Sequence, residues 1–282
     1  MQKVDNMSFN GNEKILNNGK LIPSIGFGTS LINGEECINA IKNAIKIGYR
    51  HIDTASAYEN EIEIGKAIKQ CNIERKKLFI TSKVWIDSMG YENTIKSFNQ
   101  SLKNLDVEYV DLYLIHWPKN NNDEINIETW KALEEIYKTG KARAIGVSNF
   151  LVKHLKPLLE KCEIMPMVNQ LEYHPGLIRK DIIEYCKNYN ILIEAWSPLG
   201  KGRVLNNNEL IRLADKYNKS VAQICLRWCI QNEIIPLPKS QNESRMKENI
   251  DIFNFELSEE DIVKINNIEF FAGSNMDPNN FN

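Results

Sequence analysis

The sequence predicts a closed barrel of eight parallel strands wrapped by helices, a (β/α)8 fold, and three observations predict it. Short apolar or β-branched runs alternate with amphipathic helical patterns along the chain. The alternation repeats in units of roughly 25 to 40 residues, which suits parallel strands joined by right-handed crossovers. Eight such units in 282 residues match one barrel of this kind. An open, doubly wound sheet is the alternative, and the count of eight disfavours it. No Gly/Ser- or Pro-rich linker divides the chain, so residues 1–282 are expected to form a single domain.

The elements follow in order. Lys14–Leu16 and Leu21–Pro23, joined by Asn18-Gly19, read as a hairpin that closes the bottom of the barrel. Strand Ser24–Gly28 precedes helix Glu35–Ile47, and strand Tyr49–Thr54 precedes helix Glu61–Lys69. Strand Leu78–Lys83 leads to helix Glu92–Leu105. Strand Val110–His116 leads to helix Ile127–Thr139, which Gly140 ends. Strand Ala144–Val147 is followed by helix Val152–Lys161, and strand Met167–Asn169 by helix Ile178–Asn188. Strand Ile191–Ala195 is followed by helices Glu209–Tyr217 and Val221–Gln231. Ile234–Leu237 is the eighth strand. A last helix starts at Ser258, with Asp261 three residues on as a weaker capping box. The Asn runs at 120–122 and 206–208 read as loops.

Composition narrows the function classes. The chain is 43% hydrophobic and 26% charged with a net charge of −2, so no electrostatic footprint for nucleic acid is expected. No run of about 18 apolar residues suggests a membrane span. The polar start, Met1 to Asn12, carries no apolar signal core. Six scattered cysteines without a CxxC pair read as free thiols of a reducing compartment, with the cytoplasm as the expected location. Cys225 and Cys229, one turn apart, are expected in the core. No metal site is expected.

In a barrel of this kind the carboxyl ends of the strands meet at one face, where active sites lie. Every strand here brings polar groups to that face. They are Thr29-Ser30, Asp53-Thr54 with Tyr58 on its loop, Lys83, and His116. The later strands add Ser148-Asn149, Asn169-Gln170, Trp196-Ser197 and Lys239-Ser240. Singly, each has a structural reading: Asp53 as a helix cap, Lys83 reaching to water, His116 as a core histidine, Tyr58 as a surface aromatic. Jointly, on neighbouring strand ends, they form a proton-donating set. A phenol is a weak acid, with a free pKa of about 10, and a nearby cation lowers that value. Lys83 is that cation, and Asp53 holds it charged. His116 orients a substrate oxygen, and Trp85 and Trp117 keep water out.

The stretch Pro238-Lys239-Ser240, with Arg245 and Glu248-Asn249 behind it, follows the eighth strand and turns into a helix. Two cations, a hydroxyl and the free N–H groups of a helix start suit a phosphate-bearing ligand. It is not a Walker loop, and no strand–GxGxxG–helix unit is present.

Gly48–Ala55 with Tyr58–Glu61, Ser82-Lys83, Asp111–Pro118, Ile145–Phe150, Asn169–Pro175 and Pro238–Asn249 resemble the aldo-keto reductase family, specifically its bacterial diketogluconate and glyoxal reductase-like members. The match spans roughly residues 15 to 270 in order. The resemblance implies reduction of aldehydes or ketones with NADPH. It makes Tyr58 the general acid, Lys83 and Asp53 its tuners, and His116 the substrate orienter. It places Ser148, Asn149 and Gln170 on the nicotinamide carboxamide and Trp196 on the ring. It puts Ser197 and Leu199 along the pyrophosphate, with Gly28, Thr29 and Asp53 also against the cofactor. Lys239, Ser240, Asn242 and Arg245 would meet the 2′-phosphate, and Glu248 and Asn249 the adenine. Tyr58, His116, Trp85, Trp117 and Ser30 would line the substrate site.

Ser30 stands where many relatives carry an aromatic. The loop Lys119–Asn126 and the tail Phe270–Asn282 are short, and the tail lacks an Arg that often appears there. These departures imply an open pocket with broad specificity for small carbonyls. The expected partner is a small carbonyl substrate, with no nucleic acid or membrane, and the expected state is a monomer. A non-catalytic, cofactor-binding relative is the alternative function. A Schiff-base aldolase using Lys83 would need a desolvated, neutral lysine, which Asp53 opposes.

Overall fold

The computed structural model describes residues 12–269 and 273–280. The expectation for the polar start, Met1 to Asn12, falls almost wholly outside the described residues. That for the tail falls partly outside, at residues 270–272 and 281–282. A small antiparallel hairpin, β1 (Glu13–Ile15) and β2 (Leu21–Pro23), comes first. Gly19 takes φ +80 in its turn, a conformation that favours glycine. The turn docks on the barrel: Asn17 Nδ2 donates to the Pro166 carbonyl (2.9 Å) and Asn18 Nδ2 to that of Arg143 (3.0 Å). Both acceptors lie just before barrel strands, so the hairpin covers the amino-terminal end.

Eight parallel strands follow: β3 (Phe27–Gly28), β4 (His51–Asp53), β5 (Phe79–Val84), β6 (Leu112–Ile115), β7 (Ile145–Ser148), β8 (Val168–Glu172), β9 (Leu192–Trp196) and β10 (Ile235–Leu237). Each pairs with its neighbour in sequence. The last meets the first through Gly26 N–H to the Pro236 carbonyl and Gly28 N–H to the Pro238 carbonyl, both 3.0 Å. These bonds close the cylinder and exclude the open sheet. The seam is tight at its glycines: a Cβ on Gly26 would lie 2.4 Å from Leu237 Cδ2, and one on Gly28 3.2 Å from the Leu237 carbonyl oxygen.

The helices α1 (Gly34–Ile47), α2 (Glu61–Gln70), α3 (Tyr91–Leu105), α4 (Asp123–Lys138), α5 (Val152–Leu159), α6 (Lys180–Asn188), α7 (Asn208–Tyr217), α8 (Val221–Gln231), α9 (Glu243–Ile250) and α10 (Glu259–Asn266) flank the barrel. Their apolar faces bury residues such as Ile41, Phe98, Trp130 and Trp228 against the strands. Cys225 and Cys229 are in that core, as expected. Several boundaries move. Helix α4 starts at Asp123 rather than Ile127, because Asn122 accepts the Ile125 N–H and caps it. The loop after β6 is therefore shorter than expected. The first barrel strand shrinks to two residues, and β8 runs on to Glu172.

Candidate active site

The tetrad expected from the sequence assembles at the carboxyl ends of β4, β5 and β6. Lys83 points inward from β5 and is fully buried, its Nζ donating to Asp53 Oδ1 (2.7 Å) and to the Thr54 carbonyl (2.9 Å). Tyr58 ends a short 3-10 turn, Ser56–Tyr58, that Ser56 pins by donating to the Lys83 carbonyl (2.9 Å). Lys83 Nζ lies 5.1 Å from the centre of the Tyr58 ring. His116 follows β6 and meets Tyr58 and Trp85 edge-on, at 5.5 and 5.0 Å between ring centres.

Electrostatics fix the protonation states. Burial pushes the Lys83 ammonium down, but Asp53, Tyr58 and Glu194 outweigh it, and its pKa ends above the ordinary value. Lys83 is held as a cation by Asp53, which works against the Schiff-base reading. Burial raises the Tyr58 pKa, and the opposing charge of Lys83 does not overcome it. The sequence expectation of a net lowering is thus corrected: Lys83 acts in the expected direction, but desolvation of the phenolate is larger. Tyr58 holds its proton at neutral pH. Burial, helped by Lys83, takes His116 well below its ordinary value, so its imidazole is neutral, and Nδ1 is buried without a partner.

The next strands carry a connected amide layer. Ser148 donates its hydroxyl to the Gln170 carbonyl (2.9 Å), and Asn149, at φ +65, donates Nδ2 to the His116 carbonyl (3.0 Å). Trp196 Nε1 donates to Asn149 Oδ1 (2.8 Å) and its ring meets Trp117 edge-on at 6.3 Å. Trp196 is half-buried at the rim, whereas Trp117 is only 3% exposed and offers little surface to a substrate. Trp85 is half-buried beside His116. Thr29 spends its hydroxyl on the Asp53 carbonyl (2.9 Å), and Ser30 reaches the Tyr58 phenol.

Beyond β10, Asn242 caps α9 by accepting the Arg245 N–H (3.1 Å). Lys239 and Arg245 are exposed and form no ion pair with any described residue. Ser240 is buried beside them. Asn249 is buried, and Glu248 is held by the Ser220 hydroxyl (2.5 Å). Ser197 and Leu199 lie between β9 and a 3-10 segment, with Ser197 at φ +49.

Sequence reasoning missed three groups. Glu194 and His51 lie fully buried inside the barrel beneath the tetrad, and Thr81 bonds His51 Nε2 (2.9 Å). A charged residue inside the apolar run of β9 was the available signal, because strand parity puts Glu194 on the inward side with Trp196. Asn60 braces the first loop: Nδ2 donates to the Thr29 and Ile32 carbonyls, both 2.9 Å. The tail also reaches the rim: Ser274 donates its N–H and hydroxyl to Glu172 (2.7 Å each), Arg203 bonds the Gly273 carbonyl, and Asn120 that of Asn279.

A buried Lys–Asp pair under a phenol, beside a neutral imidazole at the mouth of a (β/α)8 barrel, defines a carbonyl-reducing oxidoreductase. The chain belongs to the aldo/keto reductase family, whose sequence model matches residues 24–269. It is 52% identical over 251 residues to the glyoxal reductase of Bacillus subtilis (strain 168), covering 89% of this chain and 90% of that one. Its fold is similar to the crystal structure of an aldo-keto reductase from a Medee basin deep-sea metagenome library. The TM-score there is 0.92 at 43% identity, over 96% of this chain and all of the other. A Gox0644 variant solved in complex with NADPH gives 0.91 at 36% identity, over 96% and 98%.

The residues present fit such a cofactor. Two unpaired cations stand at the start of α9 for a phosphate. Gly28 has no side chain where a Cβ would crowd Leu237 and Lys239. Gln170 donates Nε2 to Asp53 Oδ2 and to Glu194 Oε2, both 2.8 Å. Both its N–H bonds are thus directed inward, which leaves its carbonyl oxygen for a carboxamide.

Proposed function

We propose that this enzyme reduces small aldehydes and ketones to alcohols with NADPH, using Tyr58 as proton donor. The carrying observation is the Asp53–Lys83 pair buried beneath the Tyr58 ring. The cofactor supplies a hydride to the carbonyl carbon. Tyr58 gives its phenolic proton to the carbonyl oxygen as negative charge develops there. Lys83 stabilises the phenolate left behind, and Asp53 keeps Lys83 charged and in place. His116, neutral, donates one N–H to the same oxygen and sets its angle. Ser148, Asn149 and Gln170 hold the carboxamide, and Trp196 the ring face. Ser197 and Leu199, with Gly28 and Thr29, flank the pyrophosphate. Lys239, Ser240, Asn242 and Arg245 take the 2′-phosphate, and Glu248 and Asn249 border the adenine.

The substrate class is small, reactive carbonyls with broad specificity, dicarbonyls foremost. Ser30 leaves one wall low, and Trp85 supplies the main apolar surface. The similarity to a glyoxal reductase supports the dicarbonyl preference. The tail is tied to Glu172 and Asn120. We further infer a single-domain monomer of the cytoplasm. All six cysteines are free, as a reducing compartment would keep them. Among the described residues no helix is long and apolar enough to cross a membrane.

The test is NADPH consumption with a panel of aldehydes, dicarbonyls and keto-sugars. Reactive, electron-poor carbonyls should lead, with a graded series behind them. One substrate exceeding all others by more than about a thousandfold in kcat/KM would show a fitted pocket instead. No consumption with any of them would overturn the catalytic reading.

A further inference from the structure

Beneath the tetrad lies a carboxyl group that the reduction mechanism does not use. Glu194 is fully buried in the barrel. Its Oε2 accepts from Gln170 Nε2 at 2.8 Å, and the same nitrogen donates to Asp53 Oδ2 at 2.8 Å. Its Oε1 has no hydrogen-bond partner, and the neutral His51 Nε2 is 3.8 Å away. Two carboxyl groups therefore share one amide nitrogen, with one ammonium, Lys83, between them and the phenol. Lys83 is already paired with Asp53. A second negative charge in this space has no counterion of its own.

Resting on the cofactor reading above, we propose that Glu194 couples its proton to the redox state of the bound nicotinamide. It is neutral beneath the reduced cofactor and gives its proton to solvent when the oxidised, positively charged form is bound. The chain of contact is short: Glu194 touches Gln170, whose carbonyl oxygen would face the carboxamide. At an effective dielectric of about 20, a positive charge within about 10 Å of a carboxylate changes an equilibrium roughly tenfold or more. Burial, reinforced by Asp53, holds the Glu194 pKa up at about 8, against the pull of Gln170 and Lys83. The group is therefore poised where a new positive charge discharges it. The other groups facing it are His51, which burial holds neutral down to a pKa of about 3, the Asp53–Lys83 pair, and Tyr58 above them.

The measurement is the ratio of the Kd for NADPH to that for NADP⁺, read by tryptophan fluorescence between about pH 6 and 9.5. Both forms carry the 2′-phosphate, so its titration cancels. Tyr58 is a second acid near the ring, so the comparison is made between Tyr58→Phe and the double variant Tyr58→Phe with Glu194→Gln. In Tyr58→Phe the ratio should climb about tenfold toward NADP⁺ as pH rises, and in the double variant it should stay level. A level ratio in Tyr58→Phe, or the same climb in both, overturns the proposal.

A second readout does not depend on the double variant folding. NADP⁺ added to weakly buffered Tyr58→Phe protein near pH 8 should release a fraction of a proton, and NADPH should release none. Equal release by both forms also overturns the proposal. Binding of both forms with a ratio independent of pH removes only the role of Glu194. Binding of neither removes the cofactor reading with it.

Discussion

Lys83 Nζ lies 2.7 Å from Asp53 Oδ1, with the Lys83 side chain fully withdrawn from solvent and that of Asp53 only 5% exposed. The pair sits on adjacent strands, β4 and β5, directly beneath the Tyr58 ring. The proposed mechanism makes the pair catalytic as well as structural. Lys83→Met should lower turnover about as much as loss of the phenol, while NADPH still binds. It also strands Asp53, and breaking a buried pair costs about 3 to 5 kcal/mol. Urea unfolding with fluorescence titration of NADPH separates the two effects. Turnover near wild type would refute the catalytic part.

Tyr58→Phe removes only the phenolic oxygen from a half-buried ring, so the fold should persist. Loss of a general acid typically costs about 10²- to 10⁴-fold. Steady-state turnover within about threefold of wild type would remove Tyr58 from its role. The Kd for NADPH should change little, since the phenol is proposed to serve the substrate oxygen.

The protonation state of His116 is open to a pH profile. Its folded pKa is lowered, by burial first and Lys83 second, so its neutral form persists well into the acid range. The kcat/KM for carbonyl reduction should therefore show no acid limb near pH 6.5, the free value of the imidazole. His116→Ala should impair orientation and act partly through KM. An acid limb centred near 6.5 that disappears in His116→Ala would show a histidine that titrates in the working range.

Lys239 and Arg245 are exposed cations beside the amino end of α9. Charge-assisted hydrogen bonds are worth about 1.5 to 3 kcal/mol each, so NADPH should bind at least about tenfold more tightly than NADH. Arg245→Ala should weaken NADPH much more than NADH, and the NADPH affinity should fall with added salt. Isothermal titration of both cofactors decides it, and equal wild-type affinities would refute the assignment.

Gly65 tests the packing that carries the tetrad. A Cβ there would sit 2.4 Å from the Leu105 carbonyl oxygen, where α2 crosses the end of α3. Backbone cannot yield as a side chain does, so Gly65→Ala should destabilise by about 1 to 3 kcal/mol. Chemical denaturation measures the loss. Unchanged stability would mean that the two helices separate at little cost.

By itself the sequence determined the alternation of strand and helix, the hairpin, and the order in which polar groups reach the barrel rim. Periodicity and turn residues are local, and a barrel turns strand order into spatial order, so Asp53, Lys83 and His116 had to be neighbours. The matched motifs made the family legible as well. Tertiary structure alone decided what each group sees. Burial of Tyr58 outweighs the cation beside it, because the desolvation of a phenolate depends on every element packed around it. Glu194 looked like one polar residue in an apolar run, and only closure of the barrel set it against Gln170 and Asp53. Asn122, five residues ahead of the expected helix start, became a cap because its side chain, and no periodicity, satisfies the first turn of α4. Charge balance and hydrogen-bond partners are properties of assembled space, which the order of residues along the chain does not state.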